Sequence, residues 1–142
     1  MTISETELDS IQTRLGLVLP QRYRAVVLDY PKELLDMADV YRGPKKTVQR
    51  VGPENSELYA YAELLEIANL ADVEHKNSIF PHHFFVIGDT GCGDYFAIDT
   101  SSDNAPVFMS GPHFGEYGER PTQTPTASTI DEYVSQIARS RR

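Results

Sequence analysis

Apolar residues recur at helical spacing near both ends of the chain and at strand spacing between them. Leu8, Ile11 and Leu15 follow Ser4-x-x-Glu7, a capping-box pattern, and predict a helix from about Glu5 to Leu15 that Gly16 terminates. Pro20 opens a second helix, with Tyr23, Val26, Val27 and Tyr30 on its buried face and Pro31 as its stop. Leu64, Leu65, Ala68 and Val73 predict a third, from Ala62 to about Glu74. Pro81 then clears the way for a strand His83–Ile87, and Tyr95–Asp99 pairs with it across a glycine-rich turn. Asp103-Asn104 reverses the chain into a third strand, Pro106–Met109, completing a β-meander. Ser128-x-x-Asp131 caps a final helix with Ile130, Tyr133, Val134 and Ile137 on its apolar side. Arg139, Arg141 and Arg142 complement the negative end of its dipole.

Two stretches are less regular. Residues 36–56 carry Gly43-Pro44 and Gly52-Pro53 turns, with Thr47 to Val51 as a short edge strand; Leu58 to Tyr61 is read as another. Residues 110–127 hold Gly111, Pro112, Gly115, Gly118, Pro121 and Pro125 and read as a long loop, a type of segment that often carries function. With 142 residues and 40% hydrophobic content, a single domain spanning 1–142 with a real core is expected. No apolar run approaches the ~20 residues of a membrane span. The opening residues lack the basic and apolar regions of a secretory signal, so a cytoplasmic location is expected. Cys92 is the only cysteine, which excludes an intrachain disulfide and suits a reducing compartment.

The net charge of −8 is segregated. Residues 1–50 carry net +1 and residues 120–142 net +2, whereas residues 51–119 carry twelve acids against one base, Lys76. Such a block repels phosphate backbones and attracts cationic surfaces, which argues against direct nucleic-acid binding and for a basic protein partner.

The turn Phe84 to Asp99 concentrates the candidate chemistry. Gly88, Gly91 and Gly93 build a tight reversal, with Asp89 and Asp94 in or beside it. Gly88-x-x-x-x-Gly93 has the glycine spacing of a phosphate-binding loop, but Asp94-Tyr95 stands where Lys-Ser/Thr is required. Phe96 occupies the place of the third glycine of a dinucleotide fingerprint. A calcium loop starting at Asp89 would have Gly91 and Gly93 at ligand positions and Thr100 in place of the final Glu. Cys92 has no neighbouring base to activate it. Neighbouring His82 and His83 point to opposite faces of an extended strand, and His75 and His113 lie far off in sequence, so no metal site is expected. Asp89, Asp94 and Asp99 have two readings: each bonds its own turn, or together they form an acid cluster at one end of the sheet, aimed at a partner's Arg or Lys. Tyr95 and Tyr117 would then be aromatic anchors.

Leu15-Gly16-x-x-Leu19-Pro20-x-x-Tyr23, the block Phe85-x-Ile87-Gly88-Asp89-Thr90-Gly91-x-Gly93-Asp94-x-x-x-x-Asp99, Pro106-Val107-Phe108 and the Ser128-led helix together resemble the SUKH superfamily. The match is to its branch related to the fungal cell-wall-synthesis regulator (Smi/Knr-like), over roughly residues 5–137. The resemblance implies an α+β fold: a mixed, largely antiparallel sheet with helices packed mainly on one side. It carries over no catalytic residues, and no metal and no cofactor are expected. Many bacterial members resemble immunity proteins that bind and neutralise toxins of polymorphic or contact-dependent systems, and others are signalling scaffolds.

The expectation is therefore a cytoplasmic, non-enzymatic immunity-type protein that occludes a basic toxin domain, nucleases being the toxins such an acidic blocker suits. Asp89, Asp94, Tyr95, Asp99, Glu116 and Tyr117 are its expected partner-binding residues, and Gly88, Gly91 and Gly93 its structural turn. An exposed edge strand would allow a homodimer. The alternatives are a regulatory scaffold of the same fold, a small-ligand sensor with a pocket beneath the long loop, and a small hydrolase using Cys92 or the histidines.

Overall fold

The computed structural model describes residues 2–34, 57–71, 73–90, 93–110 and 125–140. Helix α1, Glu5–Leu15, starts with the expected capping box: Ser4 Oγ accepts from the Glu7 N–H at 3.1 Å, and Glu7 Oε1 accepts from the Ser4 N–H at 2.9 Å. Gly16 ends it in the left-handed region at φ 71°, a conformation a side chain would strain. Helix α2, Gln21–Leu28, follows Pro20 and buries Tyr23 and Val27.

The expected third helix is three pieces. Helix α3, Ala62–Glu66, runs into a π-helical turn, Ile67–Ala71, and helix α4, Val73–Ile79, carries the segment beyond the expected end at Glu74. The meander is present as β1 (Phe84–Asp89), β2 (Tyr95–Asp99) and β3 (Val107–Met109), antiparallel in the order β1-β2-β3. Helix α5, Ile130–Ser140, closes the described chain. Its cap is Thr129, one residue after the expected Ser128, since Thr129 Oγ1 accepts from the Glu132 N–H at 3.0 Å. In the turn between β2 and β3, Ala105 takes a positive φ of 50°. The expected strand Thr47–Val51 and its flanking turns, together with Gly91, Cys92, His113, Glu116, Tyr117, Arg141 and Arg142, lie outside the described residues.

Side-chain alternation assigns the sheet's two faces. Phe85, Phe96, Ile98 and Val107 share one face, where Tyr23 of α2 meets Phe85 (ring centroids 5.7 Å) and Tyr133 of α5 meets Phe96 (5.2 Å). Phe84, Val86, Ala97 and Phe108 share the other, where Phe80 stacks on Phe84 at 5.8 Å. Phe84, Phe85, Val86 and Ile87 are all buried, so β1 is covered on both faces. The register shifts between Val86 and Gly88, leaving Ile87 as the extra residue of a β-bulge.

The outer edge of β1 is occupied too. The Tyr59 N–H donates to Ile87 O at 2.8 Å. Asn69 pairs with both backbone groups of Val86: the Val86 N–H donates to Asn69 Oδ1 at 2.8 Å, and Asn69 Nδ2 donates to Val86 O at 2.9 Å. Lys76 Nζ donates to Phe84 O at 2.9 Å and to His82 O at 2.8 Å. One main-chain group and two side chains thus stand in for a fourth strand. Residues Leu58–Tyr61, expected as a strand, form none; they lie along this edge through the Tyr59 bond. On the opposite edge, Val107 exchanges backbone hydrogen bonds with Thr126 and Ala127. The outer edge of β1 is therefore filled along Phe84–Ile87 by the chain itself.

The 57–60 segment is held from two further sides. Tyr30 donates its hydroxyl to Leu58 O at 2.5 Å, and Tyr133 donates to Glu57 O at 2.6 Å. At the surface, Arg24–Asp9 (2.9 Å) joins α2 to α1, Arg22–Asp131 (3.6 Å) joins α2 to α5, and Arg14 pairs with Glu66. The exposed pairs Arg22–Asp131 and Arg14–Glu66 contribute little each. Among the described residues no helix is long and apolar enough to cross a membrane.

Replacing Asn69 by Leu keeps the branched shape but leaves the buried Val86 N–H and C=O without partners. The variant should lose about 2–4 kcal/mol of stability, read as a lower urea midpoint at unchanged m-value. A loss under about 0.5 kcal/mol would mean that water or a backbone shift replaces the amide.

Candidate functional site

The hairpin separates the expected acid cluster. Asp89 pairs with Tyr95 at one end of β1–β2, and Asp99 pairs with Phe84 at the other. Asp99 bonds its own turn, as the first of its two readings had it: Oδ1 accepts from the Ser101 N–H at 2.9 Å and the Ser101 hydroxyl at 2.6 Å. His83 Nε2 stands 3.4 Å from the same oxygen. Asp99 thus does not share one end of the sheet with Asp89 and Asp94, because the antiparallel register places it four residues of β2 away from Tyr95.

Asp89 and Asp94 stay together. The Thr90 N–H donates to Asp94 O at 3.0 Å and closes the hairpin end, with Gly93 at φ 103° in the turn. Gly88 is not part of that turn. It is a β1 residue opposite Phe96, because β1 runs on to Asp89 instead of ending at Ile87. Tyr95 is locked at its backbone: its N–H donates to Ser110 Oγ at 2.8 Å, and its carbonyl accepts from the Ser110 N–H at 2.9 Å.

Asp89 and Tyr95 belong to a larger feature. The α3–α4 segment covers only part of the Phe84–Val86 face, and between them lies a cleft of about 270 Å³. Leu64, Ile67, Ala68, Ile79, Phe80 and Val86 form apolar walls. Tyr59, His75, Lys76, Asp89 and Tyr95 supply the polar groups. The Tyr59 hydroxyl donates to Asp89 Oδ2 at 2.6 Å. Burial, and then the Asp89 carboxylate that holds the proton, keep the Tyr59 phenol well above its ordinary pKa. The edge of one ring meets the face of the other between His75 and Tyr95, 5.8 Å apart. Ile67, at the cleft, is 59% exposed.

Lys76 is 2% exposed. Its ammonium is turned to the His82 and Phe84 carbonyls, and desolvation pulls its pKa from 10.5 to about 8. The one base of the 51–119 block is therefore not on the surface. Among the described residues no group of three His, Cys, Asp or Glu side chains is placed to hold a metal ion.

Sequence reasoning had named Asp89 and Tyr95 but not Tyr59, Asn69, His75 or Lys76 as site residues. Two of these left a trace. Asn69 lies four residues after Leu65, a polar residue on an otherwise apolar helical stripe, and Lys76 stands alone among acids. Tyr59 and His75 left none. This cleft lies beneath α4 and the π turn, and most of the 110–127 loop, beneath which a small-ligand sensor is expected to have its pocket, lies outside the described residues.

An α+β domain with a short antiparallel meander, wrapped by N- and C-terminal helices, is the class these observations define. The model of the SMI1 / KNR4 family (SUKH-1) matches residues 2–136, nearly the whole chain, and the protein belongs to that family. Comparison with curated proteins and with solved structures finds no match.

Between pH 8 and 10.5 the unfolded chain keeps the Lys76 proton while the folded chain has released it, so stability rises with pH across that window. A neutral amine still has two N–H groups for its two carbonyls. The stability of the wild type relative to Lys76→Met should rise by up to about 1.4 kcal/mol per pH unit from pH 8 to 10 in urea unfolding. A flat difference would show that the ammonium is not desolvated. Tyr23, Tyr59 and Tyr133 have raised pKa values, so the stability they contribute is lost only above pH 10, and it cancels in the comparison.

Proposed function

We propose that this protein is a non-enzymatic binding domain that neutralises a toxin of a bacterial polymorphic or contact-dependent system by direct, steric binding. Family membership supports a reading of this kind. The observation that carries it is the charge of residues 51–119: twelve acids, and a single base, Lys76, that is buried with its ammonium on two carbonyls. The described part of that segment therefore presents acids with no exposed Lys or Arg among them. Such a surface steers a basic partner, raising association rates by ~10–10³-fold in a salt-dependent way. A toxin acting on a polyanion carries a basic substrate site, whose charge complements such a surface.

The test is binding to the toxin encoded beside this gene. Affinity should fall at least tenfold between 50 and 500 mM salt, and the pair Asp89→Asn with Asp94→Asn should weaken it further. The absence of binding, or binding indifferent to both salt and these substitutions, rules the reading out.

A further inference from the structure

We propose that the cleft beneath α4 receives an arginine side chain delivered by the basic partner. The inference rests on the toxin-binding reading and adds to it the chemical group that is recognised and the place where it docks.

The cleft's lining combines apolar residues with an acid and aromatic rings. Leu64, Ala68 and Val86 offer an apolar channel, which suits an aliphatic stem. At the Asp89–Tyr95 end the lining becomes anionic and aromatic. The Asp89 carboxylate is already oriented by the Tyr59 hydroxyl at 2.6 Å, so it is positioned before any partner arrives. The Lys76 ammonium does not compete for that end. It is bonded to the Phe84 and His82 carbonyls, and Phe84 lies at the start of β1 whereas Asp89 ends it, roughly 16 Å away at ~3.3 Å per strand residue.

Size narrows the occupant. The cleft holds about 270 Å³. It suits one long side chain whose backbone stays outside. Arginine fits better than lysine, because a planar guanidinium pairs with a carboxylate through two hydrogen bonds and stacks against aromatic rings such as Tyr95. Ile67, 59% exposed at the cleft, gives the partner an apolar surface against which to exclude water. An arginine seated in a pocket and shielded by apolar neighbours is the usual form of an interface hot spot.

The experiment is an NMR titration of the full chain with Nα-acetyl-L-arginine amide, and in parallel with its uncharged isostere, Nα-acetyl-L-citrulline amide. The Ala68 methyl and Tyr95 ring signals should shift saturably with arginine, and citrulline should bind at least tenfold more weakly. Asp89→Asn, in which the amide oxygen still accepts from Tyr59, should weaken arginine binding at least tenfold. Ala68→Phe, which fills the channel, should abolish it in a protein whose remaining spectrum is unchanged. Equal binding of citrulline, shifts confined to other residues, or no saturable shift would overturn the assignment. Tight binding of free agmatine without binding of the capped residue would also overturn it, in favour of a small-molecule site. Toxin binding that survives Ala68→Phe at full affinity overturns the cleft assignment and leaves the toxin reading standing. Arginine binding in the cleft without toxin binding does the reverse.

Discussion

The pairing of Asn69 with Val86 underlies the arrangement of the described residues. The first strand of the three-stranded meander is buried on both faces, so an unpaired edge would bury orphaned backbone groups. Asn69 supplies an acceptor and a donor at strand spacing, and its Nδ2 also donates to Leu65 O at 3.0 Å. The amide therefore ties a helix turn to the sheet at one residue. That residue sits in a π turn, a widened helical turn that is rare outside positions with a specific task.

Once α3 and α4 are fastened to the edge of β1, they cannot also lie flat across the sheet's face. Phe80 stacks on Phe84 and Lys76 reaches the Phe84 carbonyl, so α4 is anchored near the start of the strand. The space left towards its end is the cleft that holds Asp89 and Tyr95. The same attachment buries Lys76 and strips the central segment of its one base. Edge protection, cleft and one-signed charge therefore have a common origin.

Tyrosine hydroxyls do similar work on the 57–60 segment. Tyr30, Tyr59 and Tyr133 each carry an apolar ring into the core and one polar atom to a particular acceptor: the Leu58 carbonyl, the Asp89 carboxylate and the Glu57 carbonyl. The segment needs no ladder of its own because α2, β1 and α5 hold it. Tyr23 differs, since its buried hydroxyl has no hydrogen-bond partner among the described residues. Its edge-on contact with Phe85 supplies packing alone.

The local elements were legible in the residues because their causes are local. Ser4 and Glu7 cap α1 through each other, Gly16 takes the left-handed conformation that ends it, and the apolar runs on either side of the glycines make a hairpin. The segregation of acids was equally plain. What periodicity cannot encode is which residue lies across from which. Antiparallel register carried Asp99 to the far end from Asp89 and let it satisfy itself on Ser101, although the two look alike in the chain. The same limit hid the roles of Asn69 and Lys76, whose partners are backbone groups eight to seventeen residues away on β1. A side chain's type and spacing state what it is able to bond. Its partner is set by the packing of helix on strand, and that packing depends on contacts between residues distant in the chain.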